Sequence, residues 1–300
     1  MWFKNLTLFR LVEPFPLNAE MLARRLDQRA FQPCPSFQPS AAGWTPPLGR
    51  KARDRVHAVA GRWLICLHTE EKLLPPIVVN QALAERIALI EDEQRRPVRR
   101  GEKLELRDQL VQELLPRAFT RGRFGYAYLD VVGGWLVVDS ASSHGVEEFT
   151  GALRETIDSL PIAPPRVQQS VSATMTAWLT EGQAPGEFML GDSCELREGG
   201  DEGGVVRCRG QDLTGNEIHA HLSAGKQVTQ LGLIWNDRLA FVLDESLVVR
   251  RLQFLDVVRE LLQDDAIDSP EAVFGAEFAL MTGELALLLP RLLELFGGEA

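Results

Sequence analysis

The densest charge in this 300-residue sequence is a run of arginines. Residues 95–123 hold nine cations (Arg95, Arg96, Arg99, Arg100, Lys103, Arg107, Arg117, Arg121 and Arg123) against four acids. Guanidinium groups this crowded can clamp the phosphates of a polyanion. In the stretch LPRAFTRGR (115–123), Phe119 stands between Arg117 and Arg121, just past a helix end. An exposed Phe there would stack on a base or dock against a partner, whereas a buried one would seal the foot of a helical hairpin. The charge pattern by itself also fits a solvated hairpin with no ligand.

Signatures of catalysis are mostly missing. AGKQVT (224–229) has a Gly-Lys pair, but Gln follows the Lys and no Gly stands five residues upstream, so it is not a phosphate-binding loop. No GxGxxG or GxSxG occurs. His219 and His221 are two apart on an expected helix, where metal binding needs a spacing of four. Asp130 and Asp139 fall on paired strands and are the only acids with any resemblance to nuclease metal ligands; two strand-end acids are too few for that chemistry. Cys34, Cys66, Cys194 and Cys208 are scattered, without a CxxC, so four thiols in a reducing compartment are expected rather than a zinc site. The sequence therefore predicts no enzyme, no cofactor and no metal.

The formal net charge is −10, which alone argues against nucleic acid. Its distribution argues otherwise. Residues 50–125 hold 16 of the 32 Lys and Arg against 11 acids, leaving the other 224 residues at −15. Residues 256–284 carry eight acids and one Arg. An acidic chain with one basic stretch can grip a polyanion locally while its other faces repel it.

The elements that must position these groups follow from periodicity and punctuation. A strand is expected over 2–12, a helix over 18–30 from an Asn cap, a turn-rich stretch from Pro33 to Gly49, and a buried strand over 62–68. Helices over 77–93 and 102–115, parted by Pro97 and Gly101, make an antiparallel hairpin. Strands at 124–132 and 135–139 flank Gly133-Gly134, a hairpin signal, and a helix follows over 146–159. Pro161, Pro164 and Pro165 mark the best boundary. Beyond it come a short helix (175–180), a strand pair (187–198 and 204–210), a helix (214–224), a three-strand meander (228–254) and helices at 256–264 and 270–296. The fold class is α+β. The expected domains are a central one of residues 1–76 and 117–165, a helical-hairpin tip of 77–116, and a C-terminal one of 166–300. The N-terminus lacks signal-peptide character and no window offers 18 uncharged apolar residues, so a cytoplasmic protein without membrane contact is expected.

Seven fragments in order resemble the RdgC family of recombination-associated proteins: WFKNLTLFR (2–10), GWTPPLG (43–49), EEKLLPPIVVNQAL (70–83), ELLPRAFTR (113–121), QDLTGNEI (211–218), GKQVTQLGLIW (225–235) and FALMTGELALLL (278–289). Pro97 and Gly101 depart from the continuous Lys-rich hairpin that the family implies. The resemblance implies a ring-shaped homodimer with a basic hole that encircles duplex DNA without sequence preference, restrains RecA-promoted strand exchange, and associates with the nucleoid. It implies double-stranded DNA and a second copy as partners, with single-stranded DNA and RecA as further candidates. The charge density makes Arg95, Arg96, Arg99, Arg100, Lys103, Arg117, Arg121 and Arg123 the DNA-binding candidates, with Lys226 in the C-terminal part the next in line; the resemblance implies that LPRAFTR lies near the closing region and the DNA path, which makes Phe119 the dimer-interface candidate. The alternative is a module that binds RecA or a replication factor, with DNA contact secondary.

Overall fold

A computed structural model describes residues 1–49, 52–199, 203–262 and 269–300. In chain order, β1 (Thr7–Leu11), α1 (Ala19–Gln28), β2 (Ser40–Thr45), β3 (His57–Val59) and β4 (Arg62–Lys72) come first. Two helices, α2 (Pro76–Gln94) and α3 (Arg100–Leu114), intervene before β5 (Thr120–Asp130), β6 (Trp135–Val138), α4 (Ser143–Ile157) and β7 (Ile162–Ala163). These strands form one antiparallel sheet in the order β2-β4-β5-β6-β1-β7, with β3 also paired to β4.

Both faces of this sheet are covered, and side chains alternate between them. Ile65, Leu67, Ala127, Leu129, Leu136 and Val138 pack beneath α1 and α4, against Leu22, Leu26, Phe149 and Leu153. The intervening Leu64, Tyr128, Trp135 and Val137 join a second cluster with Phe3, Leu6 and Leu8. Asn18 caps α1 by accepting a hydrogen bond from the Met21 amide at 2.9 Å.

The remaining elements are α5 (Val171–Glu181), β8 (Phe188–Arg197), β9 (Val205–Arg209), α6 (Asn216–Ser223), β10 (Gln227–Trp235), β11 (Leu239–Asp244), β12 (Val249–Phe254), α7 (Asp256–Arg259) and α8 (Pro270–Glu294). Their strands form a second antiparallel sheet, ordered β12-β11-β10-β8-β9. The architecture is thus mixed α+β with two antiparallel sheets. The length and apolar composition of α8 would suit a membrane span. Instead Phe278, Met281, Leu285, Leu288, Leu289 and Leu292 are buried in the cluster that joins α8 to both sheets. The start of the chain closes the same seam. Leu6 and Val249 exchange backbone hydrogen bonds of 2.8 and 3.0 Å, and the Leu252 amide donates to Lys4 O at 2.8 Å.

Several elements differ from their expected form. The turn-rich stretch 33–49 contains β2, a strand that its Ser-Ala-Ala-Gly composition conceals. It is fixed by Trp44, which is fully buried and donates from Nε1 to Thr156 Oγ1 at 2.8 Å. Any side chain on Gly43 would collide with the Phe31 backbone. The first strand is only Thr7–Leu11, because residues 4–6 turn aside to β12. Gly101 does not break α3, which starts at Arg100 and carries Gly101 in its first turn. The helix expected over 256–264 is the short α7 followed by a 3-10 turn to Leu262, and its last two positions lie outside the described residues.

One buried ion pair pins α8 to the β10–β11 turn: Arg238 Nε donates to Glu284 Oε2 at 2.7 Å, and Glu284 is buried. Glu284→Ala should strand a cation that is three-quarters buried, costing about 3 kcal/mol in urea unfolding, while Arg238→Met with Glu284→Leu should recover most of that loss. His57 gives the fold a pH dependence. Its Nε2 is buried without a hydrogen-bond partner among the described residues, against the rings of Phe274 and Phe278 at 5.7 and 5.8 Å. Desolvation holds this imidazole below its ordinary pKa of 6.5, so the unfolded chain takes up the proton first. Stability should therefore fall as pH drops below about 6.5 and level off once the folded imidazole is also protonated; His57→Phe should flatten that part of a melting-temperature profile.

Candidate nucleic-acid interface

The basic segment is carried on an arm. β4 and β5 pair without interruption from Arg62 opposite Asp130 out to Lys72 opposite Thr120. The inner end of β5 is buried, and its residues from Thr120 to Phe124 are exposed. Beyond the strands, α2 and α3 fold back on each other. Val79, Val98, Leu110 and Leu115 are the buried apolar residues of this hairpin, and Arg86 bridges to both carboxylate oxygens of Glu113 at 2.9 Å.

The loop at the hairpin's far end is ordered by its own charges. Arg95 closes α2 in a left-handed conformation (φ 49°). Arg96 makes two 2.8 Å hydrogen bonds to Glu102, and Glu91 accepts from the Val98 amide at 2.8 Å. The Arg96 pairing, aided by the Arg99 amide and charge, holds the Glu102 carboxyl below its usual range. Arg95, Arg96, Arg99, Arg100 and Lys103 are all exposed. Of these, Arg95, Arg99, Arg100 and Lys103 make no ion pair among the described residues, and neither does the exposed Arg117.

The other candidates are engaged within the chain. Arg121 pairs with Glu71 on the neighbouring strand, and Arg123 pairs with Glu148 of α4 at 2.5 Å. Lys226 is largely buried; its Nζ holds Glu198 at 3.2 Å and Gly204 O at 3.3 Å, clamping the β8–β9 hairpin shut. It stands just before β10 of the second sheet, not on the arm. Phe119 is 83 % exposed, so it is no core residue of the hairpin foot. Its carbonyl accepts from the Leu73 amide at 2.7 Å, and the exposed Leu73, Ile77 and Val78 lie in the strand-to-helix passage on that side.

Two features escaped the sequence reading. Phe31, His68 and Phe124 form an aromatic stack, with ring centroids 3.9 and 4.3 Å apart. The β4–β5 ladder sets His68 opposite Phe124, and the Phe31 amide donates to Trp44 O of β2 at 2.9 Å, so no spacing could have announced the stack. The outer face of the second sheet holds a groove of about 680 Å³, lined by Gly191, Gly232 and Ala240 and flanked by Arg209 and Arg251. A Cβ on Gly191 would lie 3.0 Å from the Gly232 backbone, tight enough that the neighbouring strand would have to give way.

Asp130 and Asp139 have structural partners. Asp130 accepts from Arg62 Nε at 3.1 Å and from the Gly133 amide at 2.7 Å, fixing the β5–β6 turn. Asp139 Oδ1 accepts from the Lys4 and Asn5 amides, both at 2.9 Å, while burial pushes its carboxyl up against their pull. Among the described residues no group of three or more His, Cys, Asp or Glu is placed to hold a metal ion.

A two-sheet α+β chain that displays unpaired cations on an inserted arm is the class these features define. The family model described as "Putative exonuclease, RdgC" matches residues 1–299. Proteins named recombination-associated protein RdgC are similar over the whole chain: that of Halorhodospira halophila is 43% identical and that of Aeromonas hydrophila 41% identical, each alignment covering 100% of this chain and 99% of the relative. That of Pseudomonas aeruginosa is 42% identical, over 100% of this chain and 98% of the relative. The chain belongs to the RdgC family of recombination-associated proteins.

Asp130→Ala should remove the turn's acceptor and leave Arg62 unpaired, costing about 2–4 kcal/mol in chemical unfolding. Magnesium or manganese should leave the melting temperature of the unmutated protein unchanged, since neither Asp130 nor Asp139 is placed to receive it.

Proposed function

We propose that two copies of this chain close into a ring around duplex DNA, grip its phosphates without reading its bases, and so restrain RecA-promoted recombination. The observation that carries the reading is the arm: Arg95, Arg99, Arg100, Lys103 and Arg117 are exposed without ion pairs among the described residues, on a chain of net charge −10. Cations free of internal partners can exchange water and counterions for phosphates at little cost. The acidic remainder keeps other surfaces from collapsing onto the same polyanion. Arg96, Arg121 and Arg123 reach phosphate only by sharing or leaving a carboxylate, so they rank second as contacts. Lys226 ranks last, because moving it opens a hairpin.

Ring closure is the role of Phe119. A Phe left mostly in water, next to exposed apolar residues, gains by burial against a second copy. The same exposure favours the alternative, docking of the arm onto RecA or a replication factor. The protein acts by binding rather than catalysis: the acids nearest in type to nuclease ligands are committed to a turn and to the chain's first residues.

Binding to duplex DNA in EDTA should be indifferent to sequence and should weaken by roughly 10³–10⁵ between about 50 and 200 mM salt if some 6–10 phosphates are neutralised. Arg100→Ala or Arg117→Ala should each lower the salt slope by about one, for the phosphate that the arginine no longer neutralises, and equally on all sequences. A flat salt response, or magnesium-dependent cleavage that disappears in Asp130→Asn, would overturn the reading. Phe119→Ala should leave the protomer folded but weaken closure by on the order of 3–5 kcal/mol if the ring is fully buried between copies. Its residence should shorten far more on circular than on short linear duplex, from whose ends an intact ring also slides. Unchanged DNA residence together with failure to capture purified RecA would favour the alternative.

A further inference from the structure

Two of the four cysteines have a relationship that DNA binding does not use. Cys194 on β8 and Cys208 on β9 are directly opposite each other in the antiparallel register. Opposed residues of such a ladder have Cα atoms about 4.5–5.5 Å apart, within the roughly 4.4–6.8 Å that a disulfide spans. Both side chains turn to the same face: Cys194 is in the core cluster and Cys208 packs, half-buried, against it. The Cys208 thiol is near enough to add to the upward push that burial gives the Cys194 thiol. Cys34 lies outside the strands, and Cys66 faces Thr45 and Tyr126 across its two ladders.

We propose that Cys194 and Cys208 are a reversible oxidation site, closed to a disulfide by a peroxide and reopened by a thiol reductant. Cys208, the more accessible, attacks first. Its thiolate sulfur bonds to one peroxide oxygen, the O–O bond breaks, and hydroxide leaves and is protonated to water. The product is a sulfenic acid on Cys208. The sulfur of Cys194 then attacks Cys208 Sγ; the S–S bond forms, the S–O bond breaks, and the departing hydroxide takes the Cys194 proton as water. In sum, two thiols and one hydrogen peroxide give one disulfide and two waters, with each sulfur losing one electron to the peroxide oxygens. Burial, then the neighbouring Cys208, pushes the Cys194 thiol up, so Cys194 is the poorer first attacker on peroxide.

The consequence is mechanical. Among the described residues β9 is the edge strand of the second sheet, paired with β8 alone. Its outward side is tied by Arg207 to Glu195 at 2.7 Å, and its turn end by Lys226. A disulfide adds a tie on the inward side and holds Arg207 and Arg209 in one register.

The full-length protein, treated with hydrogen peroxide and then catalase, should fall from four titratable thiols to two. It should lose the mass of two hydrogens, yield a peptide linking Cys194 to Cys208, and regain all four thiols with dithiothreitol. Hydrogen exchange at residues 205–209 should slow by roughly tenfold in the oxidised form. Cys34→Ser with Cys66→Ser should still form the link, whereas Cys208→Ala should not, with circular dichroism confirming its fold. Four persisting thiols, a link through Cys34 or Cys66, or Cys208 driven to sulfinic acid beside a free Cys194 would each overturn the proposal.

Discussion

The pairing of β4 with β5 is the constraint on which the rest depends. Its inner half is clamped on both faces, by α1 and α4 on one side and by the cluster around α8 on the other. Its outer half has few apolar neighbours and would fray as an isolated two-stranded ribbon. Rooting one end in the core and continuing one register outward lets the chain project a helical hairpin without a second core to support it. The two arginines along that outer half are staples of the arm itself. Arg121 joins strand to strand and Arg123 joins strand to α4.

Charge is sorted by the same geometry. Within the body, arginines meet carboxylates at the seams: Arg62 with Asp130, Arg238 with Glu284, and Arg250 with Asp244. Those pairs are partly or wholly removed from water, and they orient turns and helices. On the arm, exposed cations outnumber the acids that could quench them. The hairpin's few ion pairs, Arg86 with Glu113 and Arg96 with Glu102, hold its two helices and its loop. The chain as a whole is acidic, yet five exposed cations without ion pairs among the described residues, Arg95, Arg99, Arg100, Lys103 and Arg117, stand on the inserted arm.

Much of this was legible in the sequence. The α+β class, the helical hairpin and the meander followed from periodicity, because their apolar residues recur at the spacing that their elements require. The Gly133-Gly134 turn was equally plain, and Gly134 takes the positive φ (72°) for which glycine is suited. What failed to show was structure fixed from a distance. β2 is a strand because β4 accepts it and Trp44 fills the core, not because its small residues favour one. Residues 4–6 leave β1 for β12, some 245 positions away in the chain, and nothing local records that choice. The same limit applied to the site. The density of cations on the arm was visible, but not which were already spent: Glu71, Glu148 and Glu198 are 50, 25 and 28 positions from the residues they neutralise.

The seam between the chain's first residues and α8 also sets the order in which the protein can be made. The Phe3 amide donates to the sulfur of Met281 at 3.1 Å, and Phe3 shares its cluster with Phe278 and Leu285. The first sheet can therefore pair and gather α1 and α4 as soon as residue 163 has left the ribosome. Its other face, with Leu64, Tyr128 and Val137, stays bare until the second sheet and α8 emerge. At about 5–20 residues per second, that interval is roughly 5–30 seconds. During it the nascent chain presents an open, apolar sheet with long-range closure still to come, the state that folds slowly and draws chaperones. Synthesis that stalls between the two sheets should thus be more harmful than synthesis that never begins.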